Sequence, residues 1–465
     1  MNRGSERGRA GHAAVRWAAF LAFAFLLGLP LALRRPAQGV PGEEPRDLPT
    51  RKLVVISMHA DTIKREFERA FSRWTAEGHG FITKIEWLDV GGTLDAIRYV
   101  DDAFERNPQG VDIDVFFGGG TDPFLHFGQA GLLRQCSVPQ DVLDRIPQTY
   151  AGMELYDAER RWFGACLSGF GVLYNKAVLE FLGLPEPQTW TDLGQGKYFS
   201  WISSGDPRKS GSMHMVYEII FQAYGWEKGW EAAVRIGANC RGFAREASSV
   251  PWQVFAGEAA CGMAIDTYAF PAVAEAGEDR MGFRLPEHLT VVSPDGIGVL
   301  KGAPNLEVAE LFVQFVLSEA GQKLWILRPG VPGGPERFAL YRSPVIPGLV
   351  KEYARDSMVK LDAFDFEGGV KFDPAKMNAR WRILNDLFGA CVIDTQDELA
   401  AAWKKLRVAP EDDPRRRELL RPPVSEQELF DMAGTRWGDP YFRAETIARW
   451  SAEARAVYRR LAEGS

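Results

Sequence analysis

The alternation of predicted strands and helices between residues 52 and 117 restricts the fold more than any other feature of the sequence. Apolar segments at 52–56, 81–87 and 112–117 have the length and composition of strands. The two segments between them repeat apolar residues at three- and four-residue spacing, which is typical of amphipathic helices. This order predicts a parallel sheet with right-handed crossovers, and therefore an α/β fold.

The loops after the predicted strands are small, polar and rich in glycine. Ser57 and His59 follow the first strand, and Gly119, Gly120 and Thr121 follow the third. Because ligands of open α/β sheets bind beyond the carboxyl ends of the strands, these five residues are predicted to contact a ligand. The alternative for each glycine is an ordinary turn, and for His59 a structural or solvent-exposed position.

The segment from Ser210 to Gly225 predicts a helix whose first turn is open to a ligand. Its apolar residues share one helical face, and Gly225 stands where the helix should end. Ser210 or Ser212 can cap the first turn, and Gly211 lets a ligand approach the backbone closely. Free N–H groups at a helix N-terminus attract anions, so Ser210, Gly211 and Ser212 form a predicted anion site. An ordinary well-capped helix is the alternative.

Several segments resemble the family 1 extracellular solute-binding proteins of ABC importers, in the branch of ferric-ion, aminoethylphosphonate and hexose-phosphate binders. The similar segments are residues 183–193, which include the turn Pro187-Gln188-Thr189-Trp190, and residues 210–212, 224–230, 318–325 and 342–345. The resemblance implies a periplasmic-binding-protein-like type II fold, which is an α/β clamshell of two lobes that closes on a solute. The chain continues beyond the resemblance in a helical C-terminal extension.

The resemblance and the composition together predict seven segments. These are a basic N-terminal segment (1–16), a signal or membrane-anchor helix (17–33), a linker (34–51), the first part of lobe 1 (52–165), lobe 2 (166–292), the second part of lobe 1 (293–370) and the helical C-terminal extension (371–465). Hinges are expected near 165–169 and 289–296, where the chain changes lobe. The extension is expected to pack on lobe 1, with a partner-binding module as the alternative.

The first 35 residues predict export. Four arginines precede an uncharged apolar run at 17–33, and Arg34 and Arg35 follow it. This order is typical of a secretory signal peptide. An uncleaved transmembrane helix in the inner membrane is one alternative, and a buried core helix is another. A signal or an anchor would place the rest of the chain in the periplasm, free or anchored to the inner membrane.

Charge and cysteine content argue against several classes of protein. A net charge of −7 disfavours a nucleic-acid-binding protein. Five scattered cysteines form no disulfide framework, although a single bridge between Cys240 and Cys261 is predicted for an oxidising compartment. The six histidines lack zinc-ligand spacing, and the sequence has no phosphate-binding loop or nucleophile-elbow motif. We therefore expect neither an enzyme nor a cofactor; an enzyme with residues brought together only by the fold is the alternative.

The resemblance also implies a role for the residues that follow the predicted strand at 261–265. In this family that position reaches into the cleft, which makes Asp266 and Tyr268 candidate ligand contacts, with Asp295 beside them. Ferric binders of the family usually hold the metal with two adjacent tyrosines. Tyr268 stands alone, so we expect no tight direct binding of ferric ion.

The ligand is therefore predicted to be a small organic anion, such as a phosphonate or a phosphorylated metabolite. Its anionic end would lie at residues 210–212, and its amine or hydroxyl end at Asp266, Tyr268 and Asp295. The chain is accordingly expected to carry this ligand to an ABC permease. The alternatives are a membrane-anchored sensor or assembly protein with the same clamshell, and a ferric ion or ferric complex as the ligand.

Overall fold

The computed structural model describes residues 48–464, apart from residues 151, 361, 367 and 368. The basic segment, the predicted signal or anchor helix and most of the linker lie outside the described residues. Within the described ranges, no helix combines the length and the apolar character needed to cross a membrane.

The described part of the chain contains strands and helices in alternation, followed by helices alone. The strands are β1 (Thr50–Ser57), β2 (Ile82–Leu88), β3 (Val115–Phe117), β4 (Thr149–Tyr150), β5 (Met153–Glu154), β6 (Trp162–Asn175), β7 (Ile202–Gly205), β8 (Cys240–Ala244), β9 (Cys261–Ile265), β10 (Met281–Arg284) and β11 (Val292–Val299). The helices up to β11 are α1 (Asp61–His79), α2 (Thr93–Arg106), α3 (Asp122–Gln129), α4 (Gln140–Leu143), α5 (Lys176–Leu182), α6 (Trp190–Leu193), α7 (Gly211–Tyr224), α8 (Trp226–Asn239), α9 (Ser249–Phe255) and α10 (Asp266–Ala276). The later helices are α11 (Leu306–Leu317), α12 (Glu319–Ile326), α13 (Leu349–Glu352), α14 (Pro374–Phe388), α15 (Gln396–Leu406), α16 (Pro414–Leu419), α17 (Glu426–Thr435) and α18 (Pro440–Glu463), with a π-helical turn at Gly389–Ile393.

Nine strands form one mixed sheet in the order β2-β1-β3-β11-β6-β9-β7-β8, with β10 also paired to β6. β1 pairs in parallel with both β2 and β3, which confirms the predicted parallel arrangement and the α/β fold class. β3 is shorter than predicted because the Asp114 carboxylate, rather than a longer ladder, accepts the N–H of Val54 at 2.8 Å and that of Asn305 at 2.6 Å. The carboxyl ends of β1 and β3 lie side by side, with Ser57 paired to Phe117.

β6 and β11 connect the two ends of the sheet. The first part of β6 pairs with β11, and residues 170–174 pair with β9. The sequence predicts strands at 281–285 and 296–300 with residues 293–295 between them, but residues 293–295 lie inside β11 and pair with β6. A shift of register between Asp295 and Gly296 disrupts the ladder at this point. A β-bulge bends a strand and redirects its side chains, so it explains how Asp295 belongs to a strand and still contacts neighbouring loops.

The sequence also predicts a strand at 197–203, and this prediction is wrong for most of the segment. Residues 196–198 form a 3₁₀ turn, and the strand β7 begins only at Ile202. Tyr198 is buried and its hydroxyl donates to the carbonyl oxygen of Pro185 at 2.6 Å. Packing of this side chain against an earlier loop therefore overrides the strand propensity of the segment.

The predicted disulfide between Cys240 and Cys261 is not formed. Both cysteines are buried free thiols. Ile202 of β7 pairs with Cys240 on one side and with Cys261 on the other. Two strand spacings of about 4.8 Å each therefore separate the cysteines, whereas a disulfide requires Cα atoms within about 7 Å.

The C-terminal helices pack on the 166–292 part of the chain, so the prediction that they pack on residues of lobe 1 is wrong. One hydrophobic core contains buried residues of α7 and α8 together with residues of α14, α15 and α18. Trp403 Nε1 donates to Asn239 Oδ1 at 2.8 Å, and Trp226 Nε1 donates to the carbonyl oxygen of Val424 at 2.9 Å. The physical reason lies in α7, where every residue from Met213 to Phe221 is buried. A helix that is buried all round needs a cover on its second face.

Candidate functional site

The loop after β3 and the start of α7 both border Thr93, the first residue of α2. A Cβ atom placed on Gly119 would lie 3.2 Å from Thr93 Cγ2, and one placed on Gly211 would lie 3.9 Å from Thr93 Oγ1. Gly118, Gly119 and Gly120 have φ angles of 96°, 92° and 81°, a region that favours glycine because it has no Cβ. The three glycines therefore turn the chain sharply at the end of β3. We call residues 93, 119–122 and 210–212 the helix-end site.

The first turn of α7 has free hydrogen-bond donors. Ser210 caps the helix, since its Oγ accepts the N–H of Met213 at 3.3 Å. Ser212 Oγ lies 3.0 Å from Ser210 Oγ. The N–H groups of Gly211 and Ser212 donate to no other group in the described part of the chain. Because a helix N-terminus carries partial positive charge, these donors favour an anion.

The helices α2 and α3 present their N-termini to the same site. Neither has a side-chain cap. The first turn of α2 is closed by the N–H of Ala96 on the carbonyl oxygen of Gly92, and the N–H groups of Thr93 and Leu94 have no acceptor among the described residues. A Cβ atom placed on Gly119 would lie 3.4 Å from Cγ of Pro123, which is in the first turn of α3. Three helix N-termini therefore converge on the helix-end site.

Two side-chain oxygen atoms at the start of α3 are buried without hydrogen-bond partners among the described residues. Thr121 is 3% exposed, and neither its Oγ1 nor Oδ1 of Asp122 has a partner within the described residues. Burial, reinforced by the Glu218 carboxylate on α7, raises the pKa of Asp122 to about 7. Near neutral pH this carboxyl group is partly protonated and can either donate or accept a hydrogen bond.

Asp295 links the glycine loop to a buried arginine. Its Oδ1 accepts the N–H of Gly120 at 2.7 Å, and its Oδ2 lies 3.3 Å from Arg342 Nη1 and 3.9 Å from His59 Nδ1. Arg342 Nη1 also donates to Ser168 Oγ at 3.0 Å. Burial lowers the pKa of His59 to about 4, so its imidazole is neutral at physiological pH. Both oxygens of Asp295 are therefore engaged by groups of the protein itself.

Asp266 approaches the same arginine from the other half of the sheet. It begins α10, and its Oδ2 accepts the N–H of Gly169 at 2.7 Å. Burial raises the pKa of Asp266 to about 7, although the Gly169 N–H and Arg342 oppose this change. Burial also disfavours the charge of Arg342, but nearby acidic groups, including Asp295 and Asp266, outweigh it and raise the pKa of Arg342. Tyr268 is 41% exposed.

Nine of the eleven predicted site residues, all except Ser57 and Tyr268, fall into two neighbouring groups. The helix-end site contains Gly119, Gly120, Thr121, Ser210, Gly211 and Ser212. The Arg342 network contains His59, Asp266 and Asp295. Ser57 is buried, and its Oγ accepts the N–H of His59 at 3.2 Å, so it fixes the shape of the loop after β1.

Sequence reasoning missed Asp122 and Arg342. Asp122 follows the glycine loop directly, and Arg342 begins one of the segments that resemble solute-binding proteins. These positions were the only signals available in the sequence. Across the described residues, no group of three or more His, Cys, Asp or Glu side chains is arranged to hold a metal ion.

Comparisons with known proteins agree with this fold. Residues 113–337 match the family model described as bacterial extracellular solute-binding protein. A curated relative, the phosphoglycerate transport regulatory protein PgtC of Salmonella typhimurium, is 28% identical over 158 residues. The matched segment covers 34% of this chain and 39% of the length of that relative.

Solved structures of periplasmic binding proteins share the fold. The protein AfuA from Actinobacillus pleuropneumoniae, with exogenous fructose-6-phosphate bound, has a TM-score of 0.52 at 21% identity, covering 78% of this chain and 99% of AfuA. Iron-bound HitA from Pseudomonas aeruginosa has a TM-score of 0.52 at 19% identity, covering 70% of this chain and 94% of HitA. The predicted type II periplasmic-binding-protein fold with a helical C-terminal region is confirmed. Residues 113–337, just under half of the chain, are therefore similar to the bacterial extracellular solute-binding proteins.

Proposed function

We propose that the chain is an exported solute-binding protein that captures a small organic anion and delivers it to an ABC permease. The observation that carries this proposal is the convergence of three helix N-termini on the helix-end site, where Thr93 contacts the positions of both Gly119 and Gly211. Uncapped N–H groups and helix dipoles of the same sign favour a negative group at this point. Charge-assisted hydrogen bonds to such donors are the stronger ones.

The ligand in this proposal joins a phosphate or phosphonate group to a polar carbon skeleton. The N–H groups of Gly211 and Ser212 and the Ser212 hydroxyl bind the anionic group. The buried, unpartnered Thr121 Oγ1 and Asp122 Oδ1 bind a hydroxyl or amine at the other end. Asp122 thereby takes the role expected from the sequence for Asp295, whose oxygens already pair with Gly120 and Arg342.

The names of one curated relative and one structural neighbour support a phosphorylated ligand in this proposal. The matched relative is named for phosphoglycerate transport, and the structure of AfuA holds fructose-6-phosphate. Both molecules place a phosphate on a hydroxylated carbon skeleton. This is the bipolar chemistry that the helix-end site offers.

Capture in this proposal occurs by closure of two lobes, residues 52–165 with 293–370 and residues 166–292. Thr93 and the glycine loop belong to the first lobe, and residues 210–212 belong to the second. A ligand that contacts both lobes favours the closed state through its differential affinity. β6 and β11 carry the chain between the lobes, and the register shift at Asp295 and Gly296 lies within the proposed hinge.

Substitution of Ser212 tests the position of the anion. Calorimetry on the purified protein would use 3-phosphoglycerate, fructose 6-phosphate and 2-aminoethylphosphonate as probes. Loss of one hydrogen bond to a charged group costs about 1.5–3 kcal/mol, so Ser212→Ala should weaken binding of the best probe by about ten- to a hundredfold.

The matched control is Ser425→Ala, because Ser425 caps a different helix, α17, through a capping box. It should lower the free energy of unfolding by about 1 kcal/mol without changing the dissociation constant. Unchanged affinity in Ser212→Ala would show that the anion binds elsewhere.

A further inference from the structure

The C-terminal extension contributes an aromatic side chain to the helix-end site. Trp381 lies on α14, which begins well after the last residue of the family match at 337. Its Cη2 atom would lie 4.0 Å from a Cβ atom on Gly211, the residue whose N–H points out of the first turn of α7. The indole ring therefore lies next to a residue of the helix-end site.

The indole of Trp381 is held in place by the first turn of α7. Its ring packs on His214 with centroids 3.6 Å apart. His214 is fully buried, and its Nδ1 lies 2.7 Å from Oδ1 of Asn385, which is also on α14. Burial lowers the pKa of His214 to about 4, so the stacked imidazole is neutral at physiological pH. This arrangement fixes the indole without placing a positive charge beneath it.

The indole N–H of Trp381 has no acceptor in the described part of the chain, although the Nε1 atom is buried. Burying a donor without a partner costs free energy, and buried indole N–H groups usually have one. Nε1 lies on the same long edge of the indole as Cη2, the atom nearest to Gly211. The unpaired donor and the ring atom nearest to Gly211 are therefore on the same side of the indole.

We propose that Trp381 contacts the bound ligand, stacking against its carbon skeleton and donating its N–H to a ligand oxygen. This inference rests on the proposed function, because it assumes an anion at the first turn of α7. It makes the extension a determinant of specificity: organic phosphates and phosphonates gain the contact with the indole, and inorganic phosphate does not. The C-terminal helices accordingly select the ligand as well as complete the core.

The test compares Trp381→Phe and Trp381→Leu with the wild-type full-length protein. Calorimetry would use fructose 6-phosphate, 3-phosphoglycerate and 2-aminoethylphosphonate, with inorganic phosphate as the probe that lacks a carbon skeleton. Aromatic contacts stabilise a complex beyond the burial of apolar area, and the N–H adds a hydrogen bond, so Trp381→Leu should weaken binding of the best organic probe about tenfold. Trp381→Phe should retain stacking but lose the N–H, and should show a smaller loss. Affinity for inorganic phosphate should stay the same in both variants.

Trp437→Phe is the matched control, because this tryptophan lies in the same extension and donates its N–H to Asp386 at 3.1 Å. Trp437→Phe should lower the free energy of unfolding but leave the dissociation constants of all four probes unchanged. A direct readout comes from ¹⁹F NMR of protein labelled with 5-fluorotryptophan, in which the resonance missing from Trp381→Phe should shift when the organic probe binds.

The outcomes separate the two proposals. If the wild-type protein binds none of the organic anions, the proposed function fails and the inference fails with it. If the wild-type protein binds an organic probe and both Trp381 variants bind that probe as tightly as the wild type does, the inference alone is wrong. An equal loss of affinity for organic and inorganic phosphate would also contradict it, because that result indicates a structural role for Trp381.

Discussion

Asp122 shows most clearly how the environment of one residue sets its chemistry. It is the first residue of α3, its Oδ1 is buried without a partner among the described residues, and Glu218 adds a second negative charge nearby. An ionised carboxylate there is disfavoured, although the N-terminus of a helix normally favours one. Such an orphaned acid is expected where a ligand supplies the missing partner.

Stability should therefore depend on pH through Asp122. The pKa of Asp122 is about 7 in the folded protein, compared with an ordinary value of 3.8 for an aspartate. Because folding raises the pKa of this acid, the folded state binds a proton more tightly than the unfolded state does. The folded state therefore loses stability as pH rises from about 4 to about 7 and recovers that stability as pH falls. Asp122→Asn should raise the free energy of unfolding at pH 8, by at most about 4 kcal/mol, and should leave it nearly unchanged at pH 4.

Urea unfolding at the two pH values measures this difference. Asp141→Asn is the control, because Asp141 is also acidic and in the first turn of a helix but is exposed. The account would be contradicted if Asp122→Asn raised the free energy of unfolding by no more at pH 8 than at pH 4.

At the residue scale, local signals were predicted and distant partners were not. The cap at Ser210 and the helix end at Gly225 follow from neighbouring residues, and both occur where expected. Arg342 and Trp381 acquire their roles from residues more than a hundred positions away in the chain. Sequence periodicity carries no information about such contacts.

At the element scale, α7 is the helix on which both the site and the extension depend. Its first turn belongs to the helix-end site, and its body packs on β6 and β9 of the sheet and on α14. Glu218 of α7 and Arg380 of α14 form a fully buried ion pair, with Arg380 Nη2 at 2.7 Å from Glu218 Oε1. Arg380 also contacts Glu426 of α17. Through Glu218 and Glu426, Arg380 therefore links α7, α14 and α17 at the interface of the extension.

Removal of Arg380 should destabilise the whole extension. Loss of one partner leaves the other charge buried and unpaired, which typically costs about 3–5 kcal/mol. Arg380→Met should therefore lower the free energy of unfolding by about that amount in chemical denaturation. Arg382→Met, two residues along the same helix at an exposed position, is the control and should change it little. Equal stability of the two variants would mean that the ion pair does not hold the extension.

The elements that the sequence misassigned share a cause. Composition alone predicts a strand at 197–203, but the Tyr198 hydroxyl donates to the carbonyl oxygen of Pro185 and Tyr198 lies in a turn. Composition also predicts a break between strands at 293–295, but Asp295 lies in a strand that pairs with β6. The extension was placed on the wrong half because only one apolar face of α7 was considered. The uninterrupted burial from Met213 to Phe221 shows that both faces are covered.

At the scale of the whole molecule, the fold class was the most predictable property. Alternating strands and helices require a parallel sheet regardless of the details of packing, and β1, β2 and β3 form it. The rest of the sheet depends on β6, whose 14 residues are all buried and which pairs with three other strands. A strand that is buried on both faces has no alternation from which its partners can be inferred.

The central claim is that the chain binds a small organic anion, and a ligand screen by thermal unfolding tests it most directly. The panel would contain 3-phosphoglycerate, fructose 6-phosphate, 2-aminoethylphosphonate, unphosphorylated fructose and ferric citrate, each added to the purified protein. A ligand at a hundred times its dissociation constant stabilises the folded state by about 2.7 kcal/mol, which raises the melting temperature measurably. We expect this rise with at least one organic phosphate or phosphonate and not with fructose. Stabilisation by fructose or by ferric citrate alone, with none from the organic anions, would contradict the account.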